Sequence, residues 1–221
     1  KNNNTQQIAI TKTLVVYAGP SSKSNKLGHP ELYIKNLEFF LRNGIECNRG
    51  DASSHIIDTV IAVGHDFYDE YLPWVEKLNE KCQAQSPNNN NNKVILISRR
   101  ESCYDMEAAR LTLYGGVHGI HYKDYDYFVF ANCGTTGPAP PSHTQIKYQL
   151  GKGKVLLSSW TTHFTKLLTD QVKMTGLTLN CAQHDRVHIQ SMVYALDRIG
   201  LQLVMDYGCI YDCLDPKYNE T

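Results

Sequence analysis

Tyr127-Phe128-Val129-Phe130-Ala131, running directly into Asn132-Cys133-Gly134, is the stretch that decides the fold. Five consecutive apolar residues, aromatic or β-branched for the most part and closed by turn formers, read as a strand buried on both faces. Three earlier segments have the same character: Leu14-Val15-Val16-Tyr17 ending at Ala18-Gly19-Pro20, residues 56–63 ending at Gly64, and Val94-Ile95-Leu96-Ile97. Helical periodicity fills the intervals. Leu32, Leu37, Phe40 and Leu41 share one face of a helix stopped by Asn43-Gly44. Residues 73–83 read as a second helix with Trp74, Leu78 and Cys82 or Val75 inward, and residues 105–114 as a third. Strand and helix alternate four times, the order of an α/β domain whose mostly parallel central sheet is flanked by helices on both faces. Such sheets bind ligands beyond the carboxyl ends of their strands, so the loops opening at Ala18, Gly64, Ser98 and Asn132 are the expected functional ones.

Past Asn132 the pattern loosens. Residues 155–159 and 174–179 read as strands, 164–171 as a short helix, 188–199 as a helix, and 201–204 as a last apolar piece. The chain divides into a polar segment 1–13, one domain over 14–208 and a tail 209–221, and its 221 residues suffice for one full core. Pro87 and the asparagines from Asn88 to Asn92 form a low-complexity loop, read as an insertion without a function. With 22 basic and 22 acidic residues the net charge is zero, so no broad basic field exists for nucleic acid. No apolar run is long enough to span a bilayer. The chain opens at Lys1 without a signal-peptide pattern, as a piece of a longer protein would.

Seven cysteines are scattered without paired CxxC spacing, which argues against a structural zinc site. Cys209 and Cys213 are read either as a local disulfide or as buried thiols. Sequons at Asn3-Asn4-Thr5 and Asn219-Glu220-Thr221 tilt the expectation toward a secretory compartment.

Three segments, in order, carry a family likeness. They are Arg99-Arg100-Glu101-Ser102-Cys103-Tyr104-Asp105; the run from Tyr125 through Asn132-Cys133-Gly134-Thr135-Thr136-Gly137-Pro138; and Thr175-Gly176-Leu177-Thr178 leading on to His188-Ile189-Gln190-Ser191-Met192. Together they resemble the GT-A glycosyltransferases of the rhamnan-synthesis and viral or algal polysaccharide type, over residues 14–204. The resemblance implies a Rossmann-like GT-A fold and an enzyme that moves a hexose or deoxyhexose from a nucleotide-sugar donor to a glycan or protein-linked acceptor. It further implies a Golgi or ER lumenal or extracellular setting, with the cytoplasm as the alternative.

That family places an Asp-x-Asp after a central strand, where the carboxylates hold Mn or Mg against the donor diphosphate. Here Asp124-Tyr125-Asp126 precedes the strand, and the register after it holds Asn132-Cys133-Gly134 instead. Donor binding is then either metal-independent or uses a cation held by diphosphate and water; Asn132 is alternatively a turn organiser. The likeness puts Ala18, Gly19 and Ser21 near the nucleoside, with Gly64 and Asp66 as second candidates. Arg99 or Arg100 suits the diphosphate through its planar fork, and the Gly134 loop offers backbone N–H groups. Asp105 either accepts from sugar hydroxyls or is a helix N-terminal acid. Asp185 or His188 is the candidate base for the acceptor hydroxyl, His184 lies beside them, and Gln190 and Ser191 orient a sugar or a loop. Trp160 and His163 precede the acceptor-facing segment, where a Trp stacks on sugar or packs in the core.

Two other classes stay in view. One is a catalytically silent domain of the same fold serving as a binding or assembly module. The other is a Rossmann oxidoreductase, weakened because no GxGxxG follows the first strand; P-loop and Gly-x-Ser-x-Gly signatures are absent too.

Overall fold

The computed structural model describes residues 10–22, 30–47, 55–84, 92–100, 105–137, 148–150, 154–156, 159–180 and 188–207. Strands β1 (Thr11–Ala18), β2 (His55–Gly64), β3 (Val94–Arg99) and β4 (Tyr127–Asn132) alternate with helices α1 (Pro30–Asn43), α2 (His65–Ala84) and α3 (Met106–Tyr114). After them come β5 (Tyr148–Leu150), β6 (Lys154–Leu156), α4 (Thr162–Thr165), β7 (Met174–Gly176), β8 (Leu179–Asn180), β9 (His188–Ile189), β10 (Val193–Asp197) and α5 (Arg198–Tyr207). The chain is an α/β protein with a six-stranded, mostly parallel central sheet in the order β3-β2-β1-β4-β10-β7. The first four strands are mutually parallel, and β10 enters antiparallel against both β4 and β7.

Period-two alternation sends each strand's side chains into two cores. Val15 and Tyr17 pack with Leu37, Phe40 and Leu41 of α1 and Phe67, Tyr71 and Val75 of α2. Leu14, Val16 and Ala18 pack on the opposite face with Ala108, Ala109 and Leu113 of α3 and Leu201 of α5. Gly44 stops α1 as its sequence predicts, its N–H returning to Phe40 O at 2.6 Å. A Cys47–Cys82 disulfide, with Cα atoms 4.8 Å apart, ties the segment after α1 to the end of α2.

The structure corrects several readings. The second helix starts at His65, not Pro73: Phe67 and Tyr71 bury two earlier turns, and Pro73 rides on the exposed face. Leu32 is 45% exposed, and Asn36 takes its expected place on the buried face of α1. The run at Val94 forms an edge strand with Ile95 and Ile97 only half-buried. Of residues 188–199, read as a helix, only Arg198 and Ile199 are helical. Val193–Asp197 pairs with β4, Ala195 opposite Val129, and a helix begins only where Asp197 Oδ1 accepts from Gly200 N–H at 2.7 Å. Asn92, read as the end of a functionless run, is buried; its amide accepts from Ile57 N–H at 3.2 Å and donates to Glu46 O at 2.7 Å.

Candidate functional site

The order β3-β2-β1-β4 reverses direction between β1 and β4, the switch point where open α/β sheets take ligands. The last register pairs along the carboxyl rim are Ala18 with Asn132, Ala18 with Ala62, and Gly64 with Arg99. The loop after β1 lies flat over the end of β2: Gly19 N–H donates to Ala62 O and Gly64 N–H to Pro20 O, both at 2.8 Å. A Cβ on Gly64 would stand 1.7 Å from the Ser21 carbonyl oxygen, so only glycine permits this approach. Arg99 crosses the end of β2 to donate Nη2–H to Gly19 O at 2.7 Å and is itself buried. Its neighbour Arg100 is exposed. His65, Ser98, Arg99 and Arg100 line a cleft of ≈ 440 Å³, and His65 Nδ1 lies 3.1 Å from Ser98 Oγ.

On the other side of the switch point, Asn132 is committed to the protein. Its Nδ2 donates to Asp105 Oδ2 at 2.8 Å and to Ser191 O at 3.2 Å, and its Oδ1 accepts from Gly134 N–H at 2.9 Å. Its backbone N–H reaches Met192 O at 3.1 Å, and Cys133 N–H reaches Ala18 O at 2.9 Å. Asp105 makes no side-chain cap to α3; its carboxylate turns to Asn132 instead. A void of ≈ 10 Å³, about one water's worth, lies between Ala18, Asp105, Phe130, Ser191 and Tyr194. Asn36 of α1 secures the loop from the core side, donating Nδ2–H to Cys133 O at 2.9 Å and accepting from Thr136 Oγ1 at 2.8 Å.

Burial pushes the Cys133 thiol up to about 11, with Asp105 adding to the rise and Arg99 opposing it. A thiol so raised is a poor nucleophile at neutral pH. Burial likewise raises the Tyr17 phenol, which stacks on Phe40 with ring centroids 3.9 Å apart.

Asp105, Asn132 and Ser191 therefore meet through hydrogen bonds at the end of β4, while Arg99, at the end of β3, is tied to Gly19 on the same rim. Gln190 is occupied with the neighbouring hairpin, its Oε1 accepting from Thr178 Oγ1 at 2.9 Å and its N–H donating to Thr178 O at 3.0 Å. His188 opens β9, exposed and paired in register with Asn180. Asp185, His184 and the cysteines at 103, 181, 209 and 213 lie outside the described residues, as do both sequons. Trp160 packs in the core, its Nε1–H donating to Gly44 O at 2.8 Å. The Asp124-Tyr125-Asp126 run sits at the amino end of β4, where Asp126 accepts from Lys12 N–H at 2.9 Å and pairs with Arg198 at 3.1 Å. Sequence reasoning missed Asn36; the signal available was an amide on the apolar face of an amphipathic helix.

Among the described residues, the donor set around Asn132 is one carboxylate, Asp105, with an amide oxygen that already accepts from Gly134. A hard cation takes six or more oxygens, so these side chains do not by themselves fit one. Among the described residues no group of three or more His, Cys, Asp or Glu is arranged to hold a metal, and no helix is long and apolar enough to cross a membrane. The chain matches no protein-family model, no curated protein and no solved structure.

Proposed function

We propose that the chain is a glycosyltransferase of the GT-A type, moving a hexose or deoxyhexose from a nucleotide-sugar donor to a glycan or protein-linked acceptor. The observation that carries this reading is the carboxyl rim. At the β2 and β3 ends a cleft is lined by guanidinium groups, an imidazole and a hydroxyl, a chemistry suited to an anionic nucleotide. Beside it, at the β1–β4 switch, Asn132 donates to Asp105, whose carboxylate in this reading accepts from a sugar hydroxyl. In this reading Ala18, Gly19 and Ser21 back the nucleoside, Arg100 faces the diphosphate, and Arg99 fixes the loop. Asp185 or His188 takes the acceptor proton.

The amide of Asn132, bonded to Asp105, Ser191 and Gly134, favours donor binding in which any Mn or Mg is held by diphosphate and water. It equally supports a second reading, a silent domain of the same fold that binds or assembles without turnover. The Cys47–Cys82 disulfide supports a secretory-lumenal or extracellular setting.

Calorimetry against UDP-, GDP- and dTDP-sugars, with and without Mn²⁺, tests the proposal. Saturable binding of at least one member, weakened only modestly by a chelator, is expected. Binding to none would remove the transferase and leave the silent module; abolition by chelation would overturn the assignment of Asn132.

A further inference from the structure

We infer that Asn36, on the core face of α1, is a positioning residue of the rim: its amide sets the turn of residues 133–137 beyond β4. For its ligand arm the inference rests on the donor-binding reading above. Asn36 is 2% exposed among Leu37, Phe40 and Leu41. An apolar side chain would serve helix packing there better, because an amide taken out of water is costly until it is hydrogen-bonded. Both of its bonds reach across about a hundred residues to one short turn: Nδ2–H to Cys133 O at 2.9 Å and Thr136 Oγ1–H to Oδ1 at 2.8 Å. Neither bond supports α1.

From the other side Asn132 Oδ1 takes Gly134 N–H, and Cys133 N–H takes Ala18 O. The turn is thus gripped between two side-chain amides, one on β4 and one on α1. The chain leaves it at Gly137 with φ 125°, a backbone setting that favours glycine. Backbone N–H donors act on an anion only where they are held to within a fraction of an ångström. Asn132 holds only the start of the turn; the Asn36 amide ties that start, at Cys133, to the far end at Thr136.

Two variants test this, Asn36→Leu and Thr136→Val. Thr136 is exposed, so Thr136→Val keeps the fold and decides the matter alone if Asn36→Leu does not fold. Amide hydrogen exchange is expected to quicken about tenfold at Cys133 and Gly134, whose N–H groups are bonded to Ala18 O and Asn132 Oδ1, in both variants, with β1, β2 and α1 unchanged. The Kd of whichever UDP-, GDP- or dTDP-sugar the wild type binds best is expected to rise about tenfold. Unchanged exchange in the turn, or a uniform rise through α1 and the sheet, overturns the inference. So does faster exchange in the turn with unaltered affinity. If the wild type binds no sugar nucleotide, the transferase proposal fails while the exchange measurement still decides whether Asn36 sets the turn.

Discussion

The two ends of the central sheet carry similar residue types and use them oppositely. Toward the amino end, carboxylates are saturated by partners that hold the fold. Asp126 takes Lys12 N–H and Arg198; Asp58 takes Lys93 N–H at 2.7 Å and the Tyr125 hydroxyl at 2.6 Å; Glu46 takes Trp160 N–H at 2.6 Å and the Ser159 hydroxyl. At the carboxyl end, Asp105 has Asn132 for a hydrogen-bond donor, and Arg100 and His65 face solvent along a cleft. The literal Asp-x-Asp belongs to the first group. Position on the sheet decides what a carboxylate does, because strand amino ends here close on helix ends and loops, and carboxyl ends open outward at the switch point.

The contrast can be broken in four places. The largest effect is expected from Gly64→Ala. The new methyl meets the Ser21 carbonyl, so the β1 loop must lift, costing about 3 kcal/mol or more; urea unfolding measures it. Next comes Asp58→Ala at the amino end, which strands a buried phenol and a part-buried backbone N–H and costs about 2 kcal/mol. Its affinity for a sugar nucleotide, measured by calorimetry, should not change. Asp105→Ala reverses that pattern, with a stability loss of about 1 kcal/mol or less and donor affinity down about tenfold. A large stability loss with affinity intact would make Asp105 a structural acid and erase the distinction between the two ends.

The smallest effect concerns His55, whose Nε2 lies 2.7 Å from Thr13 Oγ1. Burial lowers its pKa, and Asp126 partly opposes the shift. The unfolded chain therefore binds the proton more readily, so this contribution is complete above about 6.5 and is lost as pH falls from there through the lower folded-state value. A stability-versus-pH curve should fall below that point in the wild type and flatten in His55→Gln. An identical curve in the variant would place the titration elsewhere.

The parallel half of the fold was legible because four apolar strands and three helix faces are local periodicities. Asp105 and Asn132 were legible as rim residues for the same reason: Asp105 opens the helix that follows β3, and Asn132 closes β4. Other features depended on partners far along the chain. Residues 193–197 are neutral between helix and strand until β4 offers its antiparallel edge. Asn92 looks like low complexity until it bridges Glu46 and Ile57. Asn36 looks like a flaw in a helix face until the turn beyond β4 comes to rest on it.

By itself, then, the sequence determined the alternation of strands and helices, the apolar faces and the glycines that end strands, since these follow from spacing along the backbone. Only the tertiary structure decided which partners each carboxylate takes, that the Asn132 amide joins Asp105, Ser191 and Gly134, and that Cys47 joins Cys82. A hydrogen bond or disulfide between residues far apart in the chain depends on where packing brings them, and that distance is written in no local pattern.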